Sequence, residues 1–165
     1  MLDYYKRKIN YLRISVTDRC NLRCFYCMPP EGVPWKRHED ILSYEQITQI
    51  VKEAVELGFT KIRITGGEPL VRKDIEKLVG MIAEIDGISE ICMTTNGILL
   101  AEKAKILKQN GLSRVNISIN SIDPEKYRLI TRGGDLNRAI EGLNAAIANK
   151  LTPVKVNMIV FNDTT

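Results

Sequence analysis

Three of the four cysteines in the chain lie close together, at Cys20, Cys24 and Cys27. The spacing CxxxCxxC places three soft thiolates in one short loop, and such thiolates are common ligands of iron–sulfur clusters. A four-iron cube held by three thiolates has one iron without a protein ligand, where an outside molecule can bind. The loop therefore predicts a metal site that performs chemistry rather than a purely structural one.

Other interpretations of these cysteines stay open. Cys24 and Cys27 form a CxxC pair, which is also typical of half a zinc site or of a redox pair. A structural zinc site needs four ligands, and the remaining candidates, His38 and Cys92, stand far apart in the sequence. A disulfide framework is typical of small secreted chains, which this sequence does not resemble. The spacing therefore favours the cluster.

The composition is that of an ordinary globular chain, with 165 residues, 44% of them hydrophobic and 27% charged. This length is enough for one domain with a sizeable core. A scattered net charge of +4 does not predict a nucleic-acid partner. No apolar run reaches membrane-spanning length, and the first residues lack the apolar core of a signal peptide. We therefore expect a cytoplasmic protein with reduced thiols and no membrane partner.

Strand-like and helix-like segments alternate along the sequence. Strands are expected at residues 11–16, 60–65, 89–95, 114–120 and 153–160. Helices are expected at residues 44–57, 72–84, 100–109 and 135–149, with a short one after Asp123-Pro124. Helices between strands favour parallel βα units. The one long connection, 28–42, follows the cysteines, and we expect it to cover them.

Most of these strands alternate apolar and polar residues, whereas parallel strands buried on both faces are continuously apolar. An antiparallel sheet with one wet face alternates in the same way, but the intervening helices disfavour it. A curved sheet, open or closed into a barrel, would gather the polar faces inside. The residues expected under the helices are Leu12, Ile14, Ile62, Ile64, Val115 and Ile117.

Three cations, Arg13, Arg63 and Lys155, fall on the polar face of these strands. Buried cations need partners, and we expect no carboxylate on this face. An anionic ligand such as a phosphate chain would satisfy them.

A Gly-Gly-Glu-Pro turn at 66–69 follows the second strand, at the edge where α/β sheets bind ligands. Its two glycines let a ligand approach the backbone closely, and Glu68 is suited to bind an ammonium group. The alternative is a tight connection between a strand and a helix. The segment Thr-Thr-Asn-Gly at 94–97 gives a similar, weaker signal. Tyr26 is placed either to stack on an aromatic base or to pack within the loop.

CxxxCxxC directly after a first strand, with Gly-Gly-Glu-Pro after a second, resembles the radical S-adenosylmethionine (SAM) superfamily. The similarity covers nearly the whole chain. The segments that resemble the GTP 3′,8-cyclases within that superfamily are Leu12–Cys20, Cys27–Pro29, Glu31–Trp35, Ile62–Leu70, Thr94–Gly97, Ile130–Gly134 and Val154–Asn157.

The resemblance implies a role for each matching residue. The metal ligands of a [4Fe–4S] cluster would be Cys20, Cys24 and Cys27. The residues around SAM would be Tyr26, Gly66, Gly67, Glu68 and Ser118. The residues that contact the substrate GTP would be Arg13, Arg63, Thr94 and Lys155.

The same resemblance implies a lyase of molybdenum cofactor biosynthesis that converts GTP to (8S)-3′,8-cyclo-7,8-dihydroguanosine 5′-triphosphate. Reductive cleavage of SAM would give a 5′-deoxyadenosyl radical that abstracts the ribose 3′ hydrogen, and the carbon radical would attack C8 of guanine. The cluster would take its electron from a flavodoxin- or ferredoxin-like donor. A homodimer is compatible with the family pattern.

The sequence departs from that pattern in two ways. Asn120 stands where the family has Asp. Family members also continue into a second part that completes the barrel and carries three more cysteines, whereas this sequence ends at Thr165. We therefore expect an α/β fold, a partial (βα) barrel of about five parallel units with its C-terminal part missing. Residues 1–165 would form one incomplete radical SAM core domain.

Two alternative functions remain. In the first, the chain is a non-catalytic remnant that binds the cluster, SAM or a nucleotide. In the second, it is another radical SAM enzyme, one that acts on a peptide. The cations Arg13, Arg63 and Lys155 favour GTP over a peptide. We expect the isolated chain to bind SAM without completing the cyclisation.

Overall fold

The computed structural model describes residues 2–160 and contains one sheet of five parallel strands. The strands are β1 Tyr11–Ser15, β2 Lys61–Thr65, β3 Glu90–Thr95, β4 Arg114–Ser118 and β5 Lys155–Asn157. Their order across the sheet is their order in the chain, and each neighbouring pair is parallel. The expected parallel βα architecture is confirmed, and the antiparallel alternative is wrong. Within residues 2–160, β1 and β5 are the two edges, so the sheet is open.

Five helices connect the strands or follow them. They are α1 Tyr44–Glu56, α2 Ile75–Ala83, α3 Leu100–Gln109, α4 Pro124–Thr131 and α5 Leu136–Ala148. Two short 3₁₀ turns lie at His38–Asp40 and Pro69–Val71. None of the helices within residues 2–160 combines the length and the apolar character needed to cross a membrane. Met1 and residues 161–165 of the expected 1–165 domain lie outside the described part of the chain.

Local signals explain most of the helix boundaries. Ser43 and Gln46 form a capping box, in which each side chain accepts a hydrogen bond from the backbone N–H of the other, at 3.2 and 2.8 Å. Gly58, at φ +90°, ends the turn after α1. The helix expected at 72–84 begins only at Ile75, because the 3₁₀ turn and an extended Arg72 precede it.

Strand β5 is shorter than the expected 153–160. Among the strands of residues 2–160 it pairs only with β4, and its three residues, Lys155 to Asn157, are all exposed. With hydrogen bonds on one side only, little holds the rest of the segment in a strand.

The two faces of the sheet differ as the alternation predicts. Ile62, Ile64, Val115 and Ile117 are fully buried in the core that the helices share. Leu12 and Ile14 pack against that core but stay partly exposed, because β1 is an edge strand. The strand register therefore fixes which side chains face away from the helices.

Arg13, Arg63 and Lys155 share the other face. Arg13 lies opposite Arg63 on the neighbouring strand, and Lys155 lies in the row that contains Thr94. The expectation that this face holds no carboxylate is wrong. Glu90, the first residue of β3, lies on it and forms a bidentate pair with Arg114, at 3.0 and 3.2 Å.

Candidate functional site

A cavity of about 190 Å³ opens at the carboxyl edge of the sheet, where β2, β3 and β4 end. Nine of the site residues predicted from the sequence line it: Cys20, Cys24, Tyr26, Cys27, Gly66, Gly67, Glu68, Thr94 and Ser118. The structure therefore brings together all three thiols and the turns that follow β2 and β4. Arg13, Arg63 and Lys155 do not line this cavity.

The cysteine loop is held in place by the end of α4. The N–H groups of Arg23 and Phe25 donate to the carbonyls of Thr131 and Ile130, at 3.1 and 3.0 Å. Arg132 donates to the carbonyl of Met28 at 2.7 Å. Sequence reasoning assigned no role to this segment, although residues 130–134 match the family pattern.

The three thiols are free, with Cys20 and Cys24 partly buried and Cys27 exposed. Burial raises the pKa of Cys20 and of Cys24, and the neighbouring cysteines add to the effect. The phenol of Tyr26 and the positive charge of Arg132 oppose this rise at Cys24 because they favour its thiolate.

The donor set fits an iron–sulfur cluster. Within residues 2–160, no three His, Cys, Asp or Glu side chains are close enough together to hold a single metal ion. A four-iron cube binds each thiolate at a different corner, so it needs three thiols around one cavity rather than convergence on one point. Cys20, Cys24 and Cys27 meet that requirement.

The two spare zinc candidates lie elsewhere. Cys92 is buried on β3, where its thiol donates to Glu90 at 3.1 Å. Burial raises the pKa of Cys92 to about 11. His38 lines a separate cavity. Neither side chain is placed to complete a four-ligand site with the loop.

The Gly-Gly-Glu-Pro turn packs against the start of the cysteine loop. The N–H of Gly67 donates to the carbonyl of Thr17 at 2.7 Å, and the N–H of Glu68 donates to the carbonyl of Arg19 at 2.8 Å. A Cβ on Gly66 would lie 2.7 Å from the Thr17 oxygen, and a Cβ on Gly67 would clash with the Arg19 carbonyl. Close packing of the chain on itself therefore accounts for both glycines.

Glu68 joins the turns after β2 and β3. Glu68 as a residue is 1% exposed, and its carboxylate accepts from Thr95 Oγ1 and the Asn96 N–H, each at 2.7 Å, and from the Leu70 N–H at 3.1 Å. Burial raises the pKa of Glu68, and these hydrogen bonds oppose the rise. A carboxylate offers about four acceptor positions, so one remains for a ligand ammonium.

Asn96 extends this network to the cysteine loop, because its side-chain amide donates to Asn21 Oδ1 at 2.7 Å. Sequence reasoning noted the segment 94–97 but not this bond. Only the placement of the turns after β2 and β3 reveals it.

Arg63 lies just behind the cavity wall. The residue is only 8% exposed. Its guanidinium donates to Thr94 Oγ1 at 3.1 Å and to the phenol oxygen of Tyr11. Among residues 2–160 it makes no ion pair with a carboxylate. Arg13 and Lys155 are exposed on the same face.

The connection 28–42 does not cover the cysteines as expected. Lys36, His38 and Ile41 instead line a second cavity of about 570 Å³, together with residues 16–19. The segment is drawn there because the Lys36 N–H donates to Asp18 at 2.6 Å and the guanidinium of Arg19 lies over the ring of Trp35.

Gly67→Ala is expected to destabilise the chain by about 1–3 kcal/mol, because the new methyl group must displace the Arg19 carbonyl. Gly80→Ala is the matched control. It meets only the flexible end of Asn110 and improves helix propensity within α2. Denaturant unfolding of both variants measures the difference. Equal stabilities would contradict the role assigned to the turn.

Curated relatives match nearly all of the chain. A GTP 3′,8-cyclase of Alkaliphilus oremlandii (strain OhILAs) is 58% identical over 99% of this chain and 52% of its own length. One from Peptoclostridium acidaminophilum is 54% identical over 99% of this chain and 51% of its own. The chain thus spans about half the length of these relatives.

Solved structures share the fold at lower identity. HydG, a maturase of the [FeFe]-hydrogenase, superposes with a TM-score of 0.73 and 17% identity, covering 90% of this chain and 34% of its own. The protein anSMEcpe with bound AdoMet superposes with a TM-score of 0.67 and 21% identity, covering 90% of this chain and 41% of its own. The family model of the radical SAM superfamily matches residues 14–165. With the three thiols at the carboxyl edge of a parallel sheet, this match establishes that the chain belongs to the radical SAM superfamily.

Proposed function

We propose that this chain provides the cluster- and SAM-binding part of a GTP 3′,8-cyclase, together with one wall of its nucleotide site. The observation that carries the proposal is the shared cavity of Cys20, Cys24 and Cys27. These thiols hold a [4Fe–4S] cluster, and the residues for SAM beside it are Tyr26, Gly66, Gly67, Glu68 and Ser118. When bound, the cluster supplies the electron that cleaves SAM reductively.

The role of the residues around SAM is to bind it and to fix its orientation. The free acceptor position of Glu68 suits the ammonium group of SAM. The tight packing of Gly66 and Gly67 on residues 17–19 fixes the turn that carries Glu68. Positioning of this kind contributes to rate because the reacting atoms need no further ordering.

GTP is the proposed substrate, with Arg13, Arg63, Thr94 and Lys155 as its contacts. The shared face of the three cations supports an anionic ligand. Thr94 connects the two parts of the site, because it lines the cysteine cavity and accepts a hydrogen bond from Arg63. The name of the relatives supports GTP in particular.

The proposal extends to partners and location. An acidic, flavodoxin- or ferredoxin-like electron donor is supported by the second cavity, which lies beside the cysteine loop and has more basic than acidic residues in its lining. The basic residues are Arg19, Lys36, Arg72, Lys73 and Lys77, and the acidic ones are Asp18, Glu45 and Asp74. The exposed β5 supports a homodimer. Four free thiols support a reducing compartment such as the cytoplasm. Residues 1–165 act as one radical SAM core domain.

Changing Cys20, Cys24 or Cys27 to Ser is expected to abolish assembly of the cluster, because each removes one of three thiolate ligands. Cys92→Ala is the control and retains the cluster, since that thiol lies on β3 away from the cavity. Anaerobic reconstitution followed by iron and sulfide counts and EPR measures the outcome. Stoichiometric zinc without a cluster spectrum would contradict the proposal.

The reconstituted chain, given SAM and dithionite, is expected to release 5′-deoxyadenosine and methionine. With GTP present, the chain is expected to form no cyclised nucleotide at turnover levels. The face proposed to bind GTP is exposed at β5, so the nucleotide is held loosely, and misplacement of the reacting atoms by about 1 Å costs on the order of a hundredfold in rate.

Chromatography measures both products, and Cys24→Ser serves as the blank. If the chain carries a full cluster and still leaves SAM intact, the predicted cleavage of SAM is contradicted. Catalytic formation of the cyclised nucleotide shows instead that residues 1–165 suffice for the reaction.

Arg63→Gln is expected to weaken GTP binding by about ten- to a hundredfold, since a hydrogen bond to a charged group contributes about 1.5–3 kcal/mol. Arg138→Gln is the matched control, because Arg138 pairs with Glu102 on the helical surface. Calorimetry under anaerobic conditions gives both affinities. An unchanged affinity in Arg63→Gln would remove the case for a nucleotide over a peptide.

A further inference from the structure

Arg132 follows α4 directly, and its backbone lies in the left-handed region, at φ 54° and ψ 56°. A helix that ends in this conformation usually has Gly or Asn there, because the Cβ of a larger residue is crowded by the backbone. An arginine held in this strained conformation indicates that its side chain has a function.

The side chain of Arg132 joins the two ends of the segment that carries Cys24 and Cys27. Its Nη1 donates to the carbonyl of Arg23 at 3.2 Å and to the carbonyl of Met28 at 2.7 Å. Arg23 stands immediately before Cys24, and Met28 stands immediately after Cys27. One guanidinium nitrogen therefore holds both ends of the CxxC segment.

The far end of this segment depends on the bond to Met28. The N–H groups of Cys27 and Met28 both donate to the carbonyl of Cys24, at 2.9 and 3.2 Å, so these bonds stay within the segment. Among residues 2–160, Arg132 makes the only hydrogen bond that joins Cys27 or Met28 to another part of the chain. Cys27 is also the one exposed thiol of the three in the loop.

We infer that Arg132 is a positioning residue that fixes the backbone at Met28, and with it Cys27, and thereby slows loss of the cluster. The inference rests on the proposed ligation of the cluster by the three cysteines. A thiolate held beside its iron rebinds after each dissociation, because its effective concentration there stays high. A backbone without this anchor lets the exposed thiolate move away, so that water or a chelator takes its place.

Arg132→Asn separates this role from a purely structural one. Asn accommodates the left-handed backbone better than Arg, so the free energy of unfolding of the apo chain is expected not to fall. The shorter side chain does not reach the Met28 carbonyl. The reconstituted variant is therefore expected to lose its cluster to excess EDTA about three- to tenfold faster than the parent chain. Arg132→Lys keeps a long, charged donor and is expected to fall between the two.

Lys150→Asn is the matched control. Lys150 lies just before β5, at the amino edge of the sheet, and its backbone is also left-handed, at φ 57°. Its side chain makes no hydrogen bond within residues 2–160. The change therefore removes the same charge and relieves the same backbone conformation without affecting the cysteine loop. This variant is expected to lose its cluster at the rate of the parent chain.

The test follows the visible absorbance of the cluster under anaerobic conditions, beside denaturant unfolding of each apo chain. Iron and sulfide counts come first, because a parent chain that forms no cluster contradicts the proposed function and this inference with it. With the parent chain loaded, three results overturn the inference alone. They are equal rates of cluster loss in Arg132→Asn and the parent, an equally fast loss in Lys150→Asn, and a fall in the stability of apo Arg132→Asn that accounts for its faster loss.

Discussion

The carboxylate of Glu68 is the interaction on which the arrangement of the site depends. A buried carboxylate costs several kcal/mol unless donors replace the lost water. Here the donors come from Leu70, Thr95 and Asn96, that is, from the turns after β2 and β3. The need to satisfy one charge therefore holds two turns in a fixed relation at the carboxyl edge of the sheet.

The cysteine loop has no regular secondary structure and takes its shape from that frame and from α4. On the sheet side, Asn21 Oδ1 accepts a hydrogen bond from the Asn96 side-chain amide. On the helix side, the Thr131 carbonyl accepts one from the Arg23 N–H. Arg132 adds a charge near Cys24 that favours its thiolate. A loop supported from two sides can present three thiols without reordering, which is what a preorganised site requires.

The parts of the fold with local causes could be predicted from the sequence. The capping box at Ser43 and the alternation along β2 and β4 each act within a few residues, so the helix start and the two faces follow directly. The Thr95 and Asn96 donors to Glu68 and the support from Thr131 could not be predicted, because they join residues distant in the chain. Glu90 was missed because the alternation of β3 is weak, and its carboxylate stands at the first position of that strand.

The polar face distinguishes two kinds of cation, and this difference argues for where an anion binds. Arg114 is neutralised by the bidentate carboxylate of Glu90. Arg63, on β2, has only a hydroxyl and a phenol as hydrogen-bond partners within residues 2–160, and these bonds use two of its five N–H groups. Arg63 as a residue is 8% exposed, and without a carboxylate partner its positive charge stays uncompensated. This charge lies on the face shared by Arg13 and Lys155, next to the cavity that Thr94 lines, which supports the proposal of one site for the anion and the cluster.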